Sequence, residues 1–161
     1  MKLILRKATA HDSRDVWLWR NDEETRRNSC TTDFITWERH DVWYQAMLKN
    51  GGSQILIAVD AGVSNGMIRF DQIETNLFRA NIAVAPLARG SGLGRAILRS
   101  GCDWLMREHP DATILAEVRI ENLASQRIFE ANSFHRDPAR QQSEFHVYVR
   151  ALSDCRCPIK K

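Results

Sequence analysis

Apolar and polar positions change period several times along the chain. Leu3 to Arg6 reads as a short strand, and Thr9 or Asp12 caps a helix that runs to about Arg20 and carries Trp17, Leu18 and Trp19. A second amphipathic helix spans Thr36 to Lys49, with Val42, Ala46 and Met47 near one face and Trp43 beside them, and ends at Asn50-Gly51-Gly52. Strand periodicity then takes over in Gln54 to Val59, turns at Asp60-Ala61-Gly62, resumes from Val63 or Met67 through Ile73, and returns in Ala80 to Pro86, where proline stops it. These pieces predict an antiparallel meander. The second half alternates: a helix from Gly94 to about Glu108, stopped by His109-Pro110-Asp111, a strand Thr113 to Val118, a helix Asn122 to Asn132, and a last strand Phe145 to Arg150. One α+β domain over residues 1–150 follows, with a mixed, mostly antiparallel sheet and a tail over 151–161.

The junction between the fourth strand and the third helix carries the first chemical signal. Arg89-Gly90-Ser91-Gly92-Leu93-Gly94 sets a glycine loop at a helix N-terminus, where successive N–H groups can converge on one anion and the helix dipole adds partial positive charge. No Lys-Ser or Lys-Thr follows, and the glycine spacing is not G-x-G-x-x-G, which sets aside a Walker loop and a dinucleotide fingerprint. A glycine-rich turn with no ligand would look the same if the glycines stood alone. The longer string Ile82-Ala83-Val84-Ala85-Pro86-Leu87-Ala88-Arg89-Gly90-Ser91-Gly92-Leu93-Gly94 resembles the acetyl-CoA signature of the GNAT N-acetyltransferase superfamily, a strand ending in V-x-P followed by R-G-x-G-x-G. Ala116 through Phe134 resembles the later motif of that superfamily: a strand, N-x-x-S/A, and an aromatic-bearing helix ending in a glycine-phenylalanine pair. Phe129 stands where many relatives carry a tyrosine, and Ser133 replaces the usual glycine. A Cβ there meets a turn that often needs positive φ, which neighbouring Asn132 would tolerate better if the turn had moved by a residue.

The resemblance implies a three-layer α/β/α fold whose sheet splays between the Ala80–Pro86 and Thr113–Val118 strands to admit the pantetheine arm of acetyl-CoA. It places the backbone of Ile82 and Val84 along that arm, the N–H groups of Arg89, Gly90, Ser91, Gly92, Leu93 and Gly94 around the pyrophosphate, and Asn122 and Phe129 near the cofactor. It implies direct transfer of acetyl to a primary amine. Glu117 is then the candidate base and Ser125, an ordered water or solvent the candidate acid, since Phe129 cannot donate a proton. A backbone N–H near Val84, at a bulge expected in that strand, would meet the oxyanion. As an ordinary strand-end residue, Glu117 would carry no such role.

The acceptor is read from the first half. Leu18-Trp19-Arg20-Asn21, His40-Asp41-Val42-Trp43 and Gly66-Met67-Ile68-Arg69-Phe70 resemble the branch that acetylates the 4-amino group of a UDP-linked amino-dideoxy sugar. By position, Arg20, His40, Trp43 and Arg69 would face the nucleotide-sugar. An arginine fork suits a diphosphate, while a solvated helix-end arginine and a core histidine or tryptophan are the plain alternatives. An N-terminal or ribosomal-protein acetyltransferase, or a non-catalytic acyl-CoA-binding module, stays open.

Composition narrows the partners. A net charge of +3, with basic residues interleaved among acidic ones, argues for a small molecule and against nucleic acid. No apolar run approaches membrane-spanning length and no secretory leader follows Met1-Lys2, so a cytoplasmic chain with no membrane partner is expected. A homodimer stays open. Cys155-Arg156-Cys157 lacks a matched histidine pair, so no metal is expected, and Cys102 is the one cysteine to check as a covalent acetyl carrier.

Overall fold

The computed structural model describes residues 3–152. One seven-stranded sheet runs through it in the order β1-β2-β3-β4-β5-β7-β6. The strands are β1 (Ile4–Lys7), β2 (Ser53–Asp60), β3 (Val63–Glu74), β4 (Leu77–Val84), β5 (Thr113–Arg119), β6 (His135–Arg136) and β7 (Phe145–Ala151). Every neighbouring pair is antiparallel except β4 and β5. That exception follows from connectivity: a helix, not a hairpin, joins these two strands, and such a crossover returns the chain parallel.

The helices are α1 (Ser13–Asn21), α2 (Glu23–Arg27), α3 (Trp37–Lys49), α4 (Leu93–Glu108) and α5 (Leu123–Glu130). Strand alternation splits the core into two layers. Leu56, Ile68, Phe70, Phe78, Ile114 and Ala116 pack with Ile97, Leu98 and Leu105 of α4 and Phe129 of α5. On the other face Ile55, Ile57, Met67 and Ala85 pack with Val16 and Trp19 of α1 and Tyr44 of α3. Each fully buried Leu or Ile contributes about 1.5–3 kcal/mol, so the two apolar helix stripes fix which sheet face each helix covers. The expected α/β/α layering and mostly antiparallel sheet are present.

Several details differ from the sequence reading. The buried stripe of α3 is His40 and Tyr44, whereas Val42 is 74% exposed. Val42 is apolar yet open to solvent, and the i, i+4 pair that faces the sheet instead carries polar atoms satisfied by hydrogen bonds. Short α2 and β6 add to the elements that the apolar pattern predicts. The former does have local signals: Asp22 accepts from the Thr25 N–H as its cap, acids open it and arginines close it. The packed body runs past 150, since Ala151 ends β7 and the Leu152 N–H donates to the Ala112 carbonyl with its side chain 1% exposed. Cys155 and Cys157 lie outside the described residues.

The end of α5 settles the turn question. Ser133 itself takes φ 63°, the Phe134 N–H donates to the Phe129 carbonyl, and the Ser133 N–H donates to that of Glu130. This is a Schellman closure, and its apolar contact is the edge-on packing of Phe129 against Phe134, with ring centroids 5.1 Å apart. Asn132 instead donates from Nδ2 to the Ile128 carbonyl at 2.8 Å.

Candidate active site

β4 and β5 pair only at Leu77, Phe78 and Arg79, opposite Thr113, Ile114 and Leu115. Beyond Arg79 the two strands part, which leaves one edge of β4 unpaired in the middle of the sheet. The groups on that edge can be identified. The Ala85 N–H donates to the Asn65 carbonyl, and β3 and β4 stay in step from Gly66 opposite Val84 to Asp71 opposite Arg79. In an antiparallel ladder the backbone groups alternate sides, so Ile82 and Val84 turn their N–H and C=O groups toward the opening. An extended amide-bearing chain can add there as a strand. The same unbroken register overturns one expectation: no bulge interrupts β4 between Arg79 and Val84. The irregularities fall at Ala58/Val59 and Gln72/Glu74.

The opening leads to the glycine loop. Gly90 and Gly92 have φ of 76° and 81°, and Gly92 is the N-terminal cap of α4 with no side chain to satisfy the first-turn N–H groups. Nothing lies within 4 Å of where a Cβ on Gly92 would project. Gly94 serves packing: a Cβ there would lie 2.9 Å from Ile128 Cδ1 of α5. The loop therefore presents orphan donors to open space at the positive end of a long helix. Beside Gly92 an open cleft of about 480 Å³ continues along α4, with Arg95, Arg99 and Arg150 on its walls. Those arginines were not singled out in the sequence, where they read as the solvated side of an amphipathic helix and a strand end.

Arg89 is spent differently from its neighbours. Its guanidinium reaches Asp22 at 2.6 Å, Thr25 Oγ1 at 2.8 Å and Glu24 at 2.9 Å, which ties the loop to α2. Burial pushes the Asp22 carboxyl up, but the bonds from Arg89 and from the Thr25 N–H outweigh it and hold the group below the usual carboxylate range. Ser91 Oγ donates to the Ala88 carbonyl at 2.8 Å. Asn122 caps α5, accepting from the Ser125 N–H at 3.0 Å, and Ser125 stands in that first turn. Phe129 is 5% exposed, between Phe134 and Tyr148. Its ring is core first, so an extended contact with a cofactor is not what the structure gives it. Cys102 is 1% exposed in the core, which removes it as an acetyl carrier.

The sheet face under α1 and α3 carries a polar layer beside the opening. Arg69 of β3 lies opposite Asn81 of β4 and is held by Asp71 at 2.9 Å, with its guanidinium 5.3 Å from the Trp43 ring. Glu117 of β5 accepts from Gln142 Nε2 at 3.2 Å and lies 3.6 Å from Arg79. Arg20 of α1 donates through Nη2 to Thr31 at its carbonyl and hydroxyl, while Nη1 is buried with no partner. Burial, then repulsion from Arg26 and Arg69, lowers the Arg20 pKa. Arg79 Nε and Asn81 Nδ2 are likewise buried and unpartnered. The chemistry of this layer is one-sided: every orphan group is a donor.

His40 does not join that layer. It is 2% exposed, with Nε2 donating to the Ser13 carbonyl at 2.9 Å and its ring against Trp37, Trp43 and Tyr44. Burial lowers its pKa and keeps it neutral. Its work is to hold α3 against the start of α1, so the substrate-facing position expected for it is corrected to a supporting one. Among the described residues no helix is long and apolar enough to cross a membrane, and no group of three or more His, Cys, Asp or Glu is placed to hold a metal ion.

A splayed parallel pair followed by an anion-binding glycine loop defines a domain that grips a pantetheine-bearing nucleotide mainly by backbone, and the residues present fit acetyl-CoA. Residues 2–135 match the model of the acetyltransferase (GNAT) domain, and the chain belongs to that family. It is an acetyl-CoA-dependent N-acetyltransferase. No curated relative matches significantly in sequence. Solved structures share the fold at low identity. A spermidine N-acetyltransferase from Vibrio cholerae, in complex with CoA and spermine, is 16% identical with a TM-score of 0.83, covering 94% of this chain and 96% of its own. A Salmonella typhimurium structure with its cofactor acetyl-CoA is 19% identical with a TM-score of 0.75, covering 94% and 95%. An aminoglycoside acetyltransferase in complex with coenzyme A is 18% identical with a TM-score of 0.77, covering 93% and 95%.

Proposed function

We propose that the acceptor is a small-molecule primary amine that also carries an anionic group, and specifically a UDP-linked amino sugar. The observation that carries this reading is Arg20 Nη1, a buried guanidinium donor with no partner, repelled by Arg69 and Arg26 and in need of acceptor oxygens. A diphosphate supplies such oxygens, and Arg69 over Trp43 offers a second charged, flat surface beside it. Polyamines, which are acceptors of the Vibrio cholerae neighbour, bring positive charge to a face already short of counter-charge. The cofactor lies with its pantetheine amides on Ile82 and Val84 and its pyrophosphate at the N–H groups of Gly90 to Gly94. Its remaining phosphate continues toward Arg95 and Arg99. Glu117 takes the ammonium proton, directly or through water, which frees the amine lone pair for the thioester carbon.

The test is CoA release with acetyl-CoA and three acceptor sets: 4-amino UDP-sugars, short peptides with free N-termini, and spermidine. Turnover confined to the UDP-sugars is expected, and Arg20→Leu then raises the acceptor KM by about 10–100-fold, the worth of a charge-assisted bond, with the acetyl-CoA KM unchanged. Turnover confined to peptides or spermidine refutes the acceptor assignment.

A further inference from the structure

Asn81 lies on β4 at the opening, beside the base assigned above to Glu117, on which this inference rests, and among the described residues nothing bonds its Nδ2. It is two residues beyond the last β4 position paired to β5, just as Glu117 is two residues beyond the last β5 position, so the parallel register sets the two level with one another across the opening. Asn81 shares the sheet face of Ala83, Ala85 and its register partner Arg69, the face that α1 covers. Its Nδ2 is buried and unpartnered. Leaving such a donor dry costs stability, a cost that folding alone gives no reason to carry.

The reacting groups that meet at this level are an amine, which offers N–H donors, and a thioester carbonyl, which offers an acceptor oxygen. Of these two, the carboxylate of Glu117 suits the N–H groups of the amine, and a donor N–H at Asn81 suits the carbonyl oxygen. The continuous register of β4 adds a second reason. With no bulge to re-aim a main-chain N–H, the Ile82 and Val84 groups stay in the plane of the sheet, committed to an added strand. We infer that Asn81 Nδ2 is a catalytic hydrogen-bond donor to the acetyl carbonyl oxygen, and that it holds the negative charge developing there during transfer. This rests on acetyl-CoA chemistry and not on the identity of the acceptor. The amine nitrogen forms a bond to the carbonyl carbon, and the carbonyl π electrons move to oxygen under Asn81. They return as the carbon–sulfur bond breaks; the first proton of the ammonium has passed to Glu117 or water before attack, and the second, shed by the nitrogen of the tetrahedral adduct, goes to the departing thiolate of CoA. A protein oxyanion donor of this kind contributes about 100–1,000-fold to kcat.

Two readouts test it, one of them independent of turnover. Isotope-edited infrared of bound acetyl-CoA labelled at the carbonyl carbon should show the C=O stretch shifted below its solution value in the wild type and returned toward that value in Asn81→Leu. Asn81→Asp, which keeps the shape and loses the donor, should show the same release. With any amine that is turned over, kcat should fall at least 100-fold in both variants, with KM for acetyl-CoA and for the amine within about threefold. The melting temperature of Asn81→Leu should equal or exceed that of the wild type, because an unpaired amide is removed. An unshifted wild-type band, a kcat loss under tenfold, or a rise in amine KM at constant kcat each overturns the assignment. The infrared measurement needs no acceptor, so failure of the UDP-sugar reading leaves it intact.

Discussion

Two glycines of the α4 loop stand there for different physical reasons, and substitution separates them. Gly92 has φ 81° with open space around its would-be Cβ, so the cost of a side chain is in the backbone. An L-residue held in the left-handed region costs about 1–2 kcal/mol, and at about 2–4 °C per kcal/mol for a domain of this size, Gly92→Val should lower Tm by roughly 2–8 °C. The ligand effect is larger. A loop that relaxes away from positive φ turns at least one N–H out of the cradle, and a hydrogen bond to a charged group is worth about 1.5–3 kcal/mol, which weakens CoA by about 10–100-fold. Ser91→Ala loses only the bond from Oγ to the Ala88 carbonyl and keeps its N–H, so CoA affinity should stay within about threefold. Gly94→Ala meets the flexible end of Ile128 at 2.9 Å, a cost offset by the roughly 1 kcal/mol gain of alanine over glycine inside a helix, so its Tm should barely move. Calorimetric titration of CoA into each variant, with thermal melts in parallel, measures both terms. Equal CoA affinity for Gly92→Val and Ser91→Ala would refute the backbone-cradle argument.

Two further outcomes follow from local conformation and burial. Ser133 holds φ 63° in the closure of α5, so Ser133→Gly should raise stability by about 1 kcal/mol, seen as a rise of roughly 2–4 °C in Tm; a lower Tm would show that the serine hydroxyl matters more than the strain. Stability should be intact above about pH 6.5, the unfolded histidine value, and should decline as pH falls through the window below it, because burial depresses the folded pKa of both His40 and His146 and the unfolded chain then binds the extra protons. His40→Gln, which keeps a donor for the Ser13 carbonyl, should flatten that decline in melts taken from pH 7.5 to 5.5. An unchanged slope would assign the pH dependence to other groups.

The sequence by itself determined what depends on neighbours in the chain. The period of apolar residues gave α1, α3, α4 and α5 and six of the strands to within a few residues. The glycine loop was legible because positive φ and converging N–H groups need a local run of residues without Cβ. The family followed from the same strings. Only the tertiary structure decided which side chains have partners. His40 and Arg20 are both polar residues on helices, yet His40 finds the Ser13 carbonyl and a ring of aromatics, while Arg20 keeps a buried nitrogen unpaired. Arg89 looked like part of the cofactor loop, and its guanidinium is instead bound by Asp22 and Glu24 from a helix more than sixty residues earlier. Asn81 carried no signal at all: its place beside the opening depends on where two strands stop pairing, and register between strands remote in sequence is fixed only when both helix layers bury their stripes on one sheet.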